Sequence, residues 1–283
     1  MNPFGSLGVW LGRRLPQELI LDVSRSAEEL GYETVWIGGG GEPGVFDLIE
    51  GVLSHTERIT VATGIVNLWV ETPESVTDAW HRLEEAHPGR LYVGLGISHA
   101  RLVDSLHLDY SRPLARTREF LDALDAQPDP LPPDRRLLAA LGPRMLALAA
   151  ERTLGTHPYL VSTDNTRAAR DGVGGDKVVA PELGVVLEPD LDEARAQARE
   201  ALSYYLGLPN YSNNWKRAGF TDADLEGGGS DRLIDALIAL GDADAIGERV
   251  AAHRAAGADH VCLQVLGTQP DHVAVLRQLA QLR

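Results

Sequence analysis

The residues best placed for chemistry lie at the ends of short apolar runs. Residues 91–95 (LYVGL) are too short for a helix and read as a strand buried on both faces. Gly94 and Gly96 allow backbone or ligand to come close at its carboxyl end, where Ser98 and His99 add a hydroxyl and an imidazole. In parallel α/β folds that end carries the chemistry; the plainer alternative is a tight turn with a solvated His99. A second cluster, Leu141-Gly142-Pro143-Arg144, leads from a strand into a helix. Unpaired N–H groups there would form an anion site to which Arg144 adds charge, or the cluster is an ordinary strand-to-helix turn. His99 and His157 are the imidazoles at strand ends, and an unperturbed pKa of about 6.5 suits either to moving a proton near neutral pH. For His157 a satisfied core histidine is the competing role. No histidine and carboxylate pair has metal-ligand spacing, so no metal is expected.

What positions these groups is an alternation of strands and helices. Strands are expected at 7–11, 34–37, 59–63, 91–95, 137–140, 156–160, 177–187 (interrupted at Pro181) and 260–265. Leu19, Ile20, Val23, Ala27 and Leu30 share one helical face behind Pro16, and Thr72 caps a helix with Pro73 at its first position. Ser230 opens a further helix expected over 231–240. Eight strands without a strand-only block give a (β/α)8 TIM barrel in a single domain, 1–283. Between residues 207 and 230 regular order stops. This polar and aromatic stretch is expected to be a lid-like insertion loop between strands 7 and 8, with 211–215 helping to cover the site and Gly227, Gly228 and Gly229 letting it move. Gly38 to Gly41, after the second strand, either cradle a ligand or form a flexible loop.

Composition narrows the partners. A net charge of −15 argues against nucleic acid and anionic membrane surfaces, which need clustered basic residues. Lysine occurs only at Lys177 and Lys216, which disfavours a Schiff-base enzyme. The single cysteine, Cys262, excludes a disulfide within the chain and falls in a strand, as a small core residue does. No apolar run approaches the roughly 18 residues of a membrane span, and the first residues lack a basic stretch followed by an apolar one, so a cytoplasmic location is expected.

Several motifs together resemble the bacterial luciferase-like flavin monooxygenase superfamily: Tyr32-Glu33-Thr34-Val35-Trp36-Ile37, Ala62-Thr63-Gly64-Ile65, Pro88 through Gly96, and Gly257-Ala258-Asp259-His260-Val261. Leu141-Gly142-Pro143-Arg144-Met145, with Leu208-Pro209-Asn210-Tyr211 and Gly227 through Arg232, is similar to an actinobacterial branch described as F420-dependent oxidoreductases. The resemblance spans essentially the whole chain. It implies a flavin or deazaflavin ring in the barrel mouth, against a bulge after strand three held by a non-prolyl cis peptide, here Gly64-Ile65. It implies that Gly96, Ile97 and Ser98, with Leu141, Gly142, Pro143 and Arg144, hold the ribityl phosphate. Gly38 and Gly39 would flank the cofactor where relatives carry an acidic residue and a histidine, and His99 replaces a glutamate. Proton transfer is therefore expected of His99, with His157 second. The function so implied is hydride transfer between C5 of coenzyme F420 and a small-molecule substrate, in a homodimer. The alternatives are an FMN-dependent monooxygenase using O2 and a separate reductase, or a non-catalytic flavin- or deazaflavin-binding protein.

Overall fold

The computed structural model describes residues 2–268 and 270–283; Met1, to which the expectation about the chain's start extends, lies outside them. The strands are β1 (Leu7–Leu11), β2 (Thr34–Ile37), β3 (Thr60–Thr63), β4 (Val66–Asn67), β5 (Leu91–Gly96), β6 (Arg136–Leu138), β7 (Gly155–Thr156), β8 (Val178–Val179), β9 (Glu182–Leu187), β10 (Ile238–Gly241) and β11 (Val261–Val265). They form one sheet in the order β10-β9-β11-β1-β2-β3-β5-β6-β7-β8, with β4 beside β5. Only Ala180 and Pro181 separate β8 from β9, so opposite parts of that order belong to one run of chain. Proline donates no ladder bond. At Pro181 the run changes neighbours along one edge, pairing β7 before it and β10 after it. Along its other edge, Asp259 N–H and Cys262 N–H donate to the carbonyls of Val179 and Pro181. The sheet thus closes on itself with helices outside, a TIM barrel in a single domain.

Alternation along the strands sorts the side chains. Leu7, Val9, Leu11, Val35, Ile37, Leu91, Val93 and Leu95 join the apolar core under the surrounding helices. One of these helices, Gln17–Glu29, contributes Ile20, Val23 and Ala27. Between them, Trp10, Trp36, Ala62 and Tyr92 stand in register across four neighbouring strands. With Phe4, Leu137 and Cys262 they fill the barrel interior. A ligand therefore has room only above this layer, at the carboxyl ends.

Two expectations change. The helix from Asp231 ends at Leu237, and the next residues form β10. Leu233, Ile234, Leu237 and Ile238 continue a helical spacing, but β9 offers an edge that pairs from Gly184↔Ile238 to Leu187↔Gly241, and tertiary pairing overrides the local period. The 207–230 segment is not an irregular loop: it contains helices Pro209–Arg217 and Asp222–Leu225. Pro209 occupies the first helical turn and Lys216 and Arg217 the last, both favourable placements that charge and aromatic content had obscured. No described helix is long and apolar enough to cross a membrane.

Candidate active site

A cavity of about 910 Å³ opens at the carboxyl ends of the strands, lined by residues 12–14 after β1, 38–41 after β2, Gly64, Ile65 and Asn67 around β4, and 97–99 after β5. Leu141, Gly142 and Arg144 after β6, His157 and Tyr159 after β7, and Gln264 of β11 complete the wall, while Tyr204, Tyr205, Tyr211 and Arg217 form the roof. The structure thus brings together Gly38, Gly39, Gly64, Ile65, Ile97, Ser98, His99, Leu141, Gly142, Arg144 and His157. Gly96 and Pro143 fall outside the described lining. Trp215 does not cover the cavity: it is fully buried, with its indole N–H donating to the carbonyl of Leu160.

The Gly64-Ile65 peptide bond is cis. Neighbouring glycines make room for this bulge. A Cβ on Gly39 would lie 2.0 Å from the Ile65 carbonyl oxygen, and one on Gly96 would lie 2.6 Å from Ile65 Cδ1. Gly96 therefore makes room for the Ile65 side chain, the close approach that its lack of a side chain signals. Next along, Ser98 adopts a left-handed φ of 59°, and its carbonyl accepts from the Tyr110 hydroxyl at 3.1 Å.

At β6, Gly142 caps the helix Pro143–Arg152 without a side-chain acceptor, so the helix start faces the cavity with its own backbone polarity. Pro143 shapes that start and lacks an N–H to offer. Arg217 reaches across from the roof, donating to the Leu141 carbonyl at 3.2 Å and to Asn214 Oδ1 at 2.9 Å. Arg13 and Arg14 stand after β1. Arg13 donates to the carbonyl of Gly39 at 3.0 Å and also to those of Glu42 and Pro43. The lining thus contains Arg13, Arg14, Arg144 and Arg217, and no carboxylate among the described residues. In a chain of net charge −15, a concave surface of this kind concentrates positive potential where an anion would bind.

The two histidines differ. His99 caps the helix Ala100–Ser105, its Nδ1 accepting from Leu102 N–H at 3.2 Å, and its Nε2 lies 3.5 Å from the Tyr204 hydroxyl. Burial, then the Arg101 charge, lower its pKa. Its lone pair is committed to the cap, so accepting a proton requires that contact to break. His157 is buried and stacks on Trp36, with ring centroids 4.2 Å apart, and its Nδ1 donates to the Ala180 carbonyl at 2.7 Å. Burial pushes its pKa down to about 4, which keeps it neutral at pH 7 with Nε2 free to accept.

Beneath the roof, Glu182 is buried with one oxygen accepting from Leu160 N–H at 3.0 Å and the other unpaired. Burial pushes its carboxyl up to about 8. A raised folded-state pKa contributes stability that is complete below the unfolded value of 4.5 and lost as pH rises through about 8. Burial depresses His157, His253 and His260 to about 4, 3 and 3, so their contribution is complete above 6.5 and lost as pH falls. Thermal stability should therefore peak between these trends, near neutrality. Glu182→Gln should remove the alkaline fall, raising Tm at pH 8.5 by roughly 2–6 °C, by less at pH 6 and by little near pH 4.5, where the wild-type carboxyl is protonated in both states. A scan in which both proteins decline alike above pH 7 would exclude Glu182 as the cause.

The chain belongs to the luciferase-like monooxygenase family, whose sequence model matches residues 9–260. Among curated relatives, a Mycobacterium tuberculosis protein assigned as a coenzyme F420-dependent oxidoreductase is 25% identical, the match covering 89% of this chain and 91% of that protein. The coenzyme F420-dependent tetrahydromethanopterin reductase of Methanopyrus kandleri superposes with a TM-score of 0.80 at 18% identity, covering 98% of this chain and 97% of that one. The oxygenating component of 3,6-diketocamphane monooxygenase from Pseudomonas putida, in complex with FMN, gives 0.70 at 16% identity, with coverages of 98% and 95%. The two structures share the fold. Proteins named as F420-dependent oxidoreductases and as monooxygenases are thus both among those the chain resembles.

Trp10, Arg13, Arg14, Arg217 and Gln264 line the cavity without having been singled out in the sequence. For three of them a signal existed: Arg13 and Arg14 come just after a strand's carboxyl end, and Gln264 is the polar residue in an otherwise apolar strand. Arg217 gave none, because its approach to Leu141 depends on the fold of the roof.

Proposed function

We propose that this protein is an oxidoreductase that binds coenzyme F420 and passes a hydride between the deazaflavin C5 and a small organic substrate. The observation that carries this is the cavity itself, with four arginines and no carboxylate among its described lining residues, beside the Gly64-Ile65 bulge. Coenzyme F420 bears a phosphodiester and glutamyl carboxylates beyond its ribityl chain, whereas FMN ends in one phosphate. Arginines on both sides of the mouth suit the longer anion. The mycobacterial relative supports the same assignment.

The bound ring would supply the hydride chemistry. The start of helix Pro143–Arg152, with Arg144 and Arg217, would hold the phosphate, and Gly64-Ile65 would back the ring. Gly38 and Gly39 leave space on the β2 side, and Tyr204, Tyr205 and Tyr211 would exclude water from above. A homodimer in the cytoplasm belongs to the same proposal.

Titrating the apoprotein separately with F420 and FMN tests it. Saturable F420 binding at least about tenfold tighter than FMN, a difference of about 1.4 kcal/mol, is the expected result. The reverse order would move the protein to the FMN-dependent monooxygenases. F420 binding without hydride exchange to any carbonyl or alcohol offered would mark a cofactor carrier.

A further inference from the structure

Two buried polar atoms on the cavity floor have no partner, and they face the same point. Trp10 Nε1 and His157 Nε2 are both unpaired, on residues that are 9% and 1% exposed. A Cβ built on Gly64 would lie 2.5 Å from the first and 2.9 Å from the second, so the two atoms converge on one face of the glycine, and all three residues line the cavity, where the pair forms one notch of its floor. Their chemical characters are opposite. The indole nitrogen only donates, and His157, whose Nδ1 donates to the Ala180 carbonyl, presents a bare lone pair at Nε2. The His157 ring is fixed by that bond and by its stack on Trp36, so it does not turn away to find another partner.

We propose that Trp10 and His157 form a recognition pair for the imide edge of the ring cofactor, Trp10 donating to a ring carbonyl and His157 accepting from the adjacent ring N–H. This rests on the cavity holding a flavin-type ring, as proposed above. A charged group fits the notch poorly: a carboxylate has no donor for His157, and an ammonium has no acceptor for Trp10. The floor is thus neutral and complementary, while the arginine-bearing rim is cationic, which divides one ligand into a neutral head and an anionic tail. Flavin and deazaflavin share the imide, so the pair grips either ring and leaves the choice between them to the rim.

The test is equilibrium binding, read by calorimetry, of FMN, N3-methylated FMN and F420 to the wild-type apoprotein and to Trp10→Phe and His157→Phe. The methylated probe needs no mutation and so is independent of any folding defect. Losing one partner of a buried hydrogen bond should weaken binding roughly 5- to 50-fold. That loss is expected for N3-methyl-FMN on the wild type and for each variant with the unmodified ring that the wild type binds, whereas methylation should add little in His157→Phe. Equal wild-type affinity for FMN and its N3-methyl derivative would overturn the pair while leaving the cofactor assignment intact, and would give the notch to a water molecule or a substrate hydroxyl. Tight wild-type binding of FMN in preference to F420, with the methylation loss preserved, would reject F420 dependence and uphold the pair. A wild type that binds no ring would overturn both.

Discussion

Replacing Arg144 and Arg217 together by alanine is expected to weaken cofactor binding by about 100-fold, the largest effect of any cavity substitution that spares the fold. Each guanidinium would contribute a charge-assisted hydrogen bond to the phosphate, and such bonds are worth roughly 1.5–3 kcal/mol apiece, less where water reaches the pair. Arg144 comes from the helix behind β6 and Arg217 from the roof, so the proposed phosphate site would draw on two distant segments. Arg217 already holds the Leu141 carbonyl, and its loss also releases the roof from the wall. The single variants should therefore differ: Arg144→Ala lowers affinity alone, whereas Arg217→Ala also speeds ligand release. Binding titrations and stopped-flow dissociation distinguish them. If the double variant bound F420 and FMN as the wild type does, the phosphate would have to lie elsewhere in the cavity.

Gly64→Ala should lose both stability and ligand. The new methyl would sit 2.5 Å from Trp10 Nε1 and 2.9 Å from His157 Nε2, and neither ring has freedom to retreat from a packed interior. Overpacking of this kind costs about 1–3 kcal/mol, a fall in Tm of roughly 2–9 °C for a chain of this size. The methyl would also displace the two rings that line the cavity floor, so cofactor affinity should drop more than tenfold even at temperatures where the variant is folded. Gly175→Ala, where a Cβ meets nothing within 4 Å, serves as the control and should change neither quantity. A Gly64→Ala protein with wild-type Tm and affinity would mean that the floor is more yielding than its packing indicates.

The barrel was legible in the sequence because strand, helix and turn signals recur locally: apolar runs, Pro16 and Pro73 at helix starts, and Thr72 as a cap. Where the sequence misled, the deciding contact was long-range. Ile238 carries on a helical pattern and becomes a strand because β9 offers an edge. Gly96 marks a close approach, yet nothing near it in the chain says that the approaching atom belongs to Ile65. The Gly64-Ile65 bulge was found through the resemblance, whereas the Trp10 and His157 notch beside it joins the ends of two strands on different parts of the barrel wall. His99 kept its place at the cavity, but the lone pair it needed for proton transfer is taken by a backbone N–H three residues on.

Arg13 reaches over the glycine run after β2 and holds the carbonyls of Gly39, Glu42 and Pro43, while Asn67 Nδ2 donates to the carbonyl of Gly40 at 3.3 Å. A stretch whose composition suggests slackness is therefore a wall tied down before any ligand arrives. Its ordering entropy is lost when the chain folds and not again on association. An incoming molecule therefore meets this wall already in its final shape, and little of the interaction free energy goes into ordering it.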